Sequence, residues 1–357
     1  MSDVPPNGLI LVTGANGYLG SVIVKTLLEH GYRVRGTVRS VSKHQALLSY
    51  FGSGFSLVEV PDIYADSAFD DAVKDIDGIA YVAVNMLFSP DTSIIARTAK
   101  GITNILETAT KEPRIKGVVM TSSHSACNSP EPGHTWDEQA VAASELEWDG
   151  RDPLARGLIV YAASKTIAEQ KAFDWVREHR PHFIFNTVVP NVNLGAVPAV
   201  EHLGFGSSAS LIESLFRGLL VASDFVKSQW FINPEDTALL HLAALTLDEV
   251  RNERVLALAA PFTWTQILEI LHRRFPERKS QFPTSIHEPQ IDQGEVDNER
   301  TEIILQRMGR RGFKDLEESV VASMESVIEA EALPQKPWSR TDDLLAVRNQ
   351  AQTQLQE

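Results

Sequence analysis

The chain has 357 residues and a formal net charge of −14, with 47 acidic against 33 basic residues. This acidic balance argues against nucleic acid and anionic membranes as main partners, because both need a basic face, and no apolar run is long enough to span a bilayer. A single cysteine, Cys127, excludes an internal disulfide framework and a multi-cysteine metal site, so we expect a cytoplasmic protein without a metal.

The first predicted element is a buried strand at residues 9–12 that leads directly into a glycine-rich turn and a helix. Glycines at three-residue spacing let the chain reverse, let the backbone approach a pyrophosphate, and let the helix pack closely on the strand. The helix N-terminus then offers free N–H groups to phosphates. An ordinary strand-to-helix turn is the alternative, but a second strand at residues 33–39 favours dinucleotide binding. The predicted contacts are Thr13, Gly14, Asn16, Gly17, Tyr18, Leu19 and Gly20.

The end of the second predicted strand indicates which dinucleotide is bound. NAD sites place an acidic residue there to bind the adenosine ribose. This chain has Arg39 instead, followed by Lys43. A guanidinium meets a 2′-phosphate with paired donors, which predicts NADPH/NADP+ as the cofactor. Alternatively, both residues are solvated surface side chains.

Further strands are predicted at residues 55–60, 78–84 and 116–123, with a helix at about 91–111. Asp62, next to Ile63 after the third strand, either accepts from the adenine amino group or caps the next helix. Ala83 and Val84 are expected to pack on the dinucleotide. Alternating strands and helices predict a Rossmann-type α/β fold, a doubly wound parallel sheet that binds ligands at the carboxyl ends of its strands.

A tyrosine and a lysine lie four residues apart on a helix predicted to open at Tyr161 and to end near residue 178. Positions i and i+4 share one helical face, so Tyr161 and Lys165 point the same way. An ammonium beside a phenol lowers the phenol pKa, and such a phenol donates a proton to a carbonyl oxygen as hydride arrives on the carbon. An exposed helical pair is the alternative for the two residues taken alone.

Together these motifs resemble the extended short-chain dehydrogenase/reductases. Residues 34–40, 161–166 and 189–191 are most similar to the dihydroflavonol-4-reductase-like branch, and above all to its fungal and yeast NADPH-dependent aldehyde and ketone reductases. The resemblance covers about residues 8 to 328. The motifs that carry it are Thr13 with the three glycines, the strand end Thr121-Ser122-Ser123, and Tyr161 with Lys165.

The resemblance implies roles for individual residues. Tyr161 is the general acid/base, and Lys165 lowers the tyrosine pKa and holds the nicotinamide ribose. Ser123 orients the substrate carbonyl, with Ser122 as the alternative if the register slips by one residue. Thr121 and Pro190 are expected to contact the cofactor.

The resemblance also implies a division of the chain into a lead-in (residues 1–8), an NADP-binding Rossmann domain with the catalytic helix (9–190), a smaller C-terminal, mainly substrate-binding lobe (191–330) and a polar tail (331–357). Some segments of the lobe are expected to return to the Rossmann domain. The tail is expected to be mobile or to form a surface helix. Phe88, Phe205 and Trp230 are candidate pocket aromatics. His124 either contacts substrate, as a second acid or otherwise, or is a loop histidine bonded to backbone.

The sequence therefore predicts a monomeric or homodimeric NADPH-dependent reductase of a small carbonyl substrate that is fairly apolar, aromatic or polyketide-like. Two alternatives stay open: an NAD(P)-dependent epimerase or dehydratase on the same scaffold, and a non-redox dinucleotide-binding protein. An epimerase retains tightly bound NAD and so favours a carboxylate near Val38. A non-redox protein usually lacks the tyrosine.

Overall fold

The computed structural model describes residues 4–84, 88–127, 136–220, 226–288, 292 and 294–346. The chain divides into two compact units. The first comprises Met1–Asn16, Ile23–Val189 and His241–Leu256, and the second comprises Gly17–Val22, Pro190–Leu240 and Ala257–Glu357.

The strands, in chain order, are β1 (Leu9–Val12), β2 (Arg33–Val38), β3 (Phe55–Glu59), β4 (Gly78–Tyr81), β5 (Gly117–Thr121), β6 (Ile184–Pro190), β7 (Val192–Asn193), β8 (Trp230–Ile232), β9 (Arg254–Ala257) and β10 (Ala260–Pro261). The helices are α1 (Tyr18–Glu29), α2 (Ala46–Phe51), α3 (Ser93–Thr110), α4 (Glu138–Glu145), α5 (Pro153–His179), α6 (Val200–Leu203), α7 (Ser210–Phe216), α8 (Pro234–Thr246), α9 (Trp264–Arg274), α10 (Glu299–Arg307) and α11 (Leu316–Glu331).

A seven-stranded sheet forms the centre of the first unit, in the order β3-β2-β1-β4-β5-β6-β9. β1 is parallel to both of its neighbours, and Ile10 is in register with Val34 on β2 and Gly78 on β4. The order reverses at β1, which is the switch point of a doubly wound sheet, where ligands bind. The predicted Rossmann-type α/β fold is confirmed.

The core of the first unit lies between the sheet and helices α3 and α5, which pack against each other. Fully buried strand residues such as Val118 and Phe185 face buried residues of the two helices, among them Ile102 and Ala168. Burial of this continuous apolar surface holds the carboxyl ends of the strands in place.

The helix that carries Tyr161 begins earlier than the sequence prediction, at Pro153. The Asp152 side chain accepts a hydrogen bond from Ala155 N, and proline occupies the first helical turn, where its missing N–H costs nothing. Tyr161 therefore lies inside the helix, where neighbouring turns fix its direction. The predicted strand at 78–84 is also shorter and ends at Tyr81.

The second unit contains a three-stranded sheet in the order β10-β8-β7. Helix α9 begins with a capping box, since Thr263 and Gln266 each bond the other's backbone. Residues after α11 also pack in this unit, because the hydroxyls of Ser339 and Thr341 donate to the buried Glu213 carboxylate. This part of the polar tail is held in place, whereas residues 347–357 lie outside the described part.

None of the helices in the described ranges combines the length and the apolar character that a membrane crossing requires.

Candidate active site

The turn after β1 is shaped by Gly14, whose φ is +66°. This left-handed conformation favours glycine, and a Cβ there would lie 3.2 Å from Ala83 Cα. The buried Thr13 hydroxyl accepts hydrogen bonds from Val82 N at 2.8 Å and Ala83 N at 2.9 Å, and Gly14 N donates to Thr37 Oγ1 at 3.2 Å. Thr13 thus fixes the shape of the turn, while its contact with a cofactor stays a prediction.

Basic side chains gather beside this turn at the end of β2. Asn16 Nδ2 lies 3.1 Å from His44 Nε2. Burial lowers the pKa of His44, and the positive charges of Arg39 and Lys43 lower it further, so both charges act at this point. Arg39 and Lys43 are exposed, and phosphate binding by them stays a prediction. His44 is a member of this cluster that sequence reasoning missed.

The next predicted contacts follow β3 and β4. Asp62 is exposed and accepts a hydrogen bond from Tyr64 N at 2.9 Å, so its carboxylate caps a local turn; the expected helix after Asp62 is wrong, since no helix lies between β3 and β4 in the described range 4–84. Ile63 is half-buried against the hydrophobic core. Ala83 and Val84 are half-buried shortly after β4. Contacts of these four residues with adenine or nicotinamide stay predictions.

Five predicted cofactor contacts belong to the second unit, namely Gly17, Tyr18, Leu19, Gly20 and Pro190. The Tyr18 phenol donates to the Gly195 carbonyl at 2.9 Å, and burial raises its pKa. Because this hydroxyl already has a partner, a contact of Tyr18 with the cofactor would have to use its ring or backbone. Pro190 is buried at the last position of β6.

Two adjacent serines at the end of β5 point to different partners. Ser122 Oγ donates to the buried Glu169 carboxylate at 2.6 Å. Ser123 Oγ accepts from Ser125 N at 3.2 Å, and its interaction with the Tyr161 phenol lowers the pKa of that phenol. Because side chains alternate along an extended chain, Ser123 lies beside the tyrosine while Ser122 turns inward. This placement favours Ser123 over Ser122 as the candidate substrate contact.

Tyr161 is half-buried on α5, and its ring packs edge-on against Phe88 with the ring centroids 5.2 Å apart. One turn earlier on the helix, Gly157 lies against the Phe88 backbone. Desolvation raises the pKa of the Tyr161 phenol, and the hydrogen bond with Ser123 lowers it. Lowering of this pKa by Lys165 stays a prediction.

Lys165 is only 3% exposed, and its Nζ donates to the Thr121 backbone oxygen at 2.9 Å. The Thr121 hydroxyl lies 2.7 Å from Nε2 of the buried His241, so Thr121 links the lysine to α8. Burial lowers the pKa of Lys165 to about 8, while the Glu169 carboxylate acts in the opposite direction. The lysine is therefore an ammonium held at the end of β5 at neutral pH.

The candidate substrate residues are divided between the two units. His124 is half-buried in the first, and its backbone oxygen accepts from Cys127 N at 2.9 Å; both alternatives for its side chain stay open. Phe205 and Trp230 are buried in the second unit, where Phe205 N donates to Trp338 O at 2.8 Å. Substrate contact by Phe205 and Trp230 stays a prediction.

Sequence reasoning also missed the residues that support this site, the buried Glu169 and His241 and the partly buried Arg254. Glu169 stands four residues after Lys165, so helical spacing alone places it on the same face. No local signal identifies Arg254 or His241, because the fold brings them to β5 and α5 from far along the chain.

The family comparison is consistent with this geometry. Residues 10–256 match the model of the NAD dependent epimerase/dehydratase family. The ketoreductase adrE of Penicillium rubens is 36% identical over 89% of this chain and 96% of its own length. The NAD-dependent epimerase/dehydratase terH of Aspergillus terreus is 35% identical over 91% of this chain and 98% of its own length.

Among solved structures, the yeast methylglyoxal/isovaleraldehyde reductase Gre2, complexed with NADPH, superposes with a TM-score of 0.74. It shares 25% sequence identity, and the match covers 90% of this chain and 99% of that protein. The family match, the full-length relatives and the order of the sheet agree. This chain belongs to the NAD dependent epimerase/dehydratase family, the extended short-chain dehydrogenase/reductases.

Proposed function

We propose that this protein reduces an aldehyde or ketone to the alcohol, with Tyr161 as the proton donor, Ser123 as the hydrogen-bond donor to the carbonyl oxygen, and Lys165 as the charge that stabilises the phenolate. The observation that supports this assignment is that the Ser123 hydroxyl interacts with the Tyr161 phenol, while Tyr161 shares one face of α5 with the buried Lys165.

The chain is an NADP-dependent oxidoreductase, as its ketoreductase and NADPH-bound reductase relatives indicate. Its own residues fit that cofactor. A Cβ at Gly14 would crowd Ala83 in the turn where a pyrophosphate approaches, and the charges of Arg39 and Lys43 converge beside the same turn at His44. When bound, NADPH supplies the hydride that is added to the carbonyl carbon.

The proton comes from this chain's own residues. Because desolvation raises the pKa of Tyr161, its phenol is protonated at neutral pH and ready to donate. The carbonyl oxygen becomes strongly basic as the carbon is reduced, and it takes the phenolic proton. The phenolate that remains is stabilised by the Lys165 ammonium and by the Ser123 hydroxyl, and it regains a proton from solvent before the next turnover.

We infer an apolar substituent next to the substrate carbonyl. The Phe88 ring packs edge-on against Tyr161, so a carbonyl oxygen that reaches the tyrosine brings its substituents close to this aromatic face. Aromatic and aliphatic groups gain from such a contact. Aryl ketones, β-keto esters and apolar aldehydes are therefore the classes to test.

The test measures NADPH oxidation by the loss of reduced-nicotinamide absorbance with these classes of substrate. Tyr161→Phe removes the proton donor but keeps the ring, so we expect kcat to fall by about 10²- to 10⁴-fold while NADPH binding, measured by fluorescence, is retained. Tyr50→Phe, at an exposed tyrosine on α2, is the matched control and should leave both quantities unchanged. Equal turnover by the two variants would refute the role of Tyr161.

An epimerase or dehydratase is the second candidate, since one full-length relative carries that name. Such an enzyme keeps NAD tightly bound through its cycle, whereas this chain places Arg39 where a ribose-binding carboxylate would stand. Denaturing the freshly purified protein and identifying the released nucleotide separates the two. Stoichiometric NAD, with no net NADPH oxidation on any carbonyl substrate, would favour the second candidate. Tight NADPH binding without turnover would favour a non-redox role.

A further inference from the structure

Glu169 is a fully buried carboxylate with an unusually complete set of partners. Its oxygens accept hydrogen bonds from Ser122 Oγ and Thr187 Oγ1, both at 2.6 Å. Arg254 donates to it from Nε at 2.9 Å and from a terminal nitrogen at 3.1 Å. The Arg254 guanidinium in turn lies 4.0 Å from the centre of the Trp136 ring. Two hydroxyl groups and one guanidinium therefore supply hydrogen bonds to both oxygens of this carboxylate.

The Glu169 carboxylate is close to the candidate catalytic groups in the fold. Glu169 follows Lys165 by one helical turn on α5, and both side chains are buried. Ser122, which donates to Glu169, is bonded covalently to Ser123, the residue that contacts Tyr161. Glu169 therefore acts on the candidate site in two ways. Its charge acts on Lys165, and its carboxylate accepts a hydrogen bond from Ser122 at the end of β5.

We propose that Glu169 is a positioning residue of the reduction, whose negative charge keeps the buried Lys165 in its ammonium form and whose hydrogen bond with Ser122 fixes the strand end that carries Ser123. This inference rests on the proposed function for its consequence in catalysis, but its first claim concerns the charge of Lys165 alone.

The groups around Lys165 determine whether the lysine is charged. Burial by itself favours a neutral amine, and it lowers the pKa of Lys165 to about 8 with Glu169 acting against the decrease. Among the described residues, the titratable groups near this pair include Tyr161 on α5, His241 beside Thr121, and Cys127 with Arg254 and Asp137 around it. Burial raises the pKa of Tyr161 and brings that of the Cys127 thiol to about 11, so neither supplies negative charge at neutral pH.

Without the Glu169 charge, we therefore expect Lys165 to lose its proton at a lower pH. A single charge a few ångströms away in a buried site moves a pKa by about 1 to 3 units. Lys165 would then be largely neutral at pH 7, and it would no longer stabilise a phenolate at Tyr161.

The experiment follows the titration of Lys165 directly, in protein labelled with ¹³C at the lysine Cε and without substrate or cofactor. NMR spectra over a pH series give the midpoint for each lysine, and Lys165→Arg identifies the signal. We expect a wild-type midpoint near the lowered value and a midpoint about 1 to 3 pH units lower in Glu169→Gln. Glu178→Gln, which removes an exposed carboxylate from the same helix, is the matched control and should leave the midpoint unchanged.

Two further variants separate charge from packing. Glu169→Asp keeps the charge but changes the shape, so the Lys165 midpoint should return toward the wild-type value; a purely structural role for Glu169 predicts no such recovery. If Glu169→Gln leaves Arg254 unpaired and does not fold, the double variant Glu169→Gln/Arg254→Gln removes both charges, and its midpoint should still lie below that of the wild type. A wild-type midpoint in a folded Glu169→Gln or double variant overturns the inference.

The pH dependence of kcat/KM then tests whether the charge of Lys165 serves the reaction. In the wild type, kcat/KM for carbonyl reduction should fall at high pH as Lys165 deprotonates, and in Glu169→Gln this fall should begin about 1 to 3 pH units lower. A shift in the NMR midpoint without wild-type turnover on any carbonyl would refute the proposed function and still support the electrostatic role of Glu169. A shifted midpoint with an unshifted kinetic profile would refute the claim that the Lys165 charge serves catalysis.

Discussion

Gly157→Ala is a substitution whose effect can be worked out from the structure, because the glycine faces the backbone of Phe88. A Cβ at this position would lie 2.5 Å from the Phe88 carbonyl carbon and closer still to its oxygen. Carbon atoms in contact prefer about 3.5 to 4.0 Å, so the two backbones must separate by roughly 1 Å. α5 is a long helix and Phe88 lies outside any helix or strand, so we expect Phe88 to move.

The effects on stability nearly cancel. Alanine in a helix interior stabilises it by about 0.5 to 1 kcal/mol relative to glycine. Displacing Phe88 loses some of its edge-on contact with Tyr161, worth about 0.5 to 1.5 kcal/mol. We therefore expect the melting temperature to change by no more than about 2 °C.

The effect on specificity should be larger than the effect on stability. If Phe88 lines the pocket, an apolar substituent that packs on it contributes about 1 to 3 kcal/mol, which corresponds to a factor of about 10 to 200 in kcat/KM. Gly157→Ala should thus reduce kcat/KM for an aryl ketone about tenfold or more, with little change for a small aldehyde such as methylglyoxal. The assay is the NADPH oxidation described above, together with thermal melting.

Two comparisons make this prediction refutable. Leu158→Ala changes an exposed residue of the same helix and should leave the preference between the two substrates unaltered. In a Phe88→Ala background, Gly157→Ala should cause little further loss with the aryl ketone, because the ring that it displaces is gone. Equal losses with both substrates, or an unchanged preference in folded Gly157→Ala, would show that Phe88 does not contact substrate.

Three further predictions concern the cofactor, a buried charge and a backbone contact. Arg39→Ala should weaken NADPH binding much more than NADH binding, because the Arg39 charge acts at the basic cluster around His44; equal losses in a fluorescence titration would contradict the 2′-phosphate assignment. Lys165→Met should abolish turnover yet raise the unfolding free energy at pH 7 by roughly 1 to 3 kcal/mol, because burial disfavours the ammonium. The pKa of Lys165 is about 8 in the folded chain and about 10.4 in the unfolded chain, so the unfolding free energy of the wild type increases as the pH rises through this range. The difference in unfolding free energy between Lys165→Met and the wild type should therefore decrease over the same range. A constant difference in denaturant titrations would contradict this prediction. Gly204→Ala should lower the melting temperature by several degrees, because Gly204 has a φ of +64° and its Cβ would lie 2.9 Å from the Trp338 carbonyl carbon; an unchanged melting temperature would mean that the 338 segment moves away at no cost.

The fold could be predicted because its signals are local. Alternating strands and helices predicted the parallel sheet, and the glycine spacing predicted the turn after β1, which the sheet order places at the switch point between β2 and β4. The error at α5 was avoidable, since Asp152 followed by Pro153 is a standard helix start. By contrast, the contact of Gly157 with Phe88 depends on how a loop folds back onto a helix, and no local pattern encodes it.

The candidate site could be predicted only in part, because only some of its contacts are local in the sequence. Tyr161 and Lys165 are connected by helical spacing, and Glu169 belongs to that series as well. Choosing between Ser122 and Ser123 required the direction in which the chain leaves β5, which the sequence does not give. Arg254 reaches Glu169 from 85 residues further along the chain, so only the folded sheet brings the two together.

Tyr161, Lys165 and Glu169 form a polar stripe on one face of α5 that runs from the half-buried phenol to a fully buried carboxylate. Ionisable groups placed inward on a helix destabilise a protein unless each has a partner. Each group of this stripe has one, in Ser123, in the Thr121 carbonyl, and in Ser122 with Arg254. The partners of the first two groups, Ser123 and Thr121, lie two residues apart at one strand end, so a shift of that strand end would disturb the phenol and the ammonium together. For this reason we expect substitutions of Glu169, His241 or Arg254 to reduce activity before they unfold the protein. In Lys165→Met the two properties should change in opposite directions, because stability increases while activity is lost.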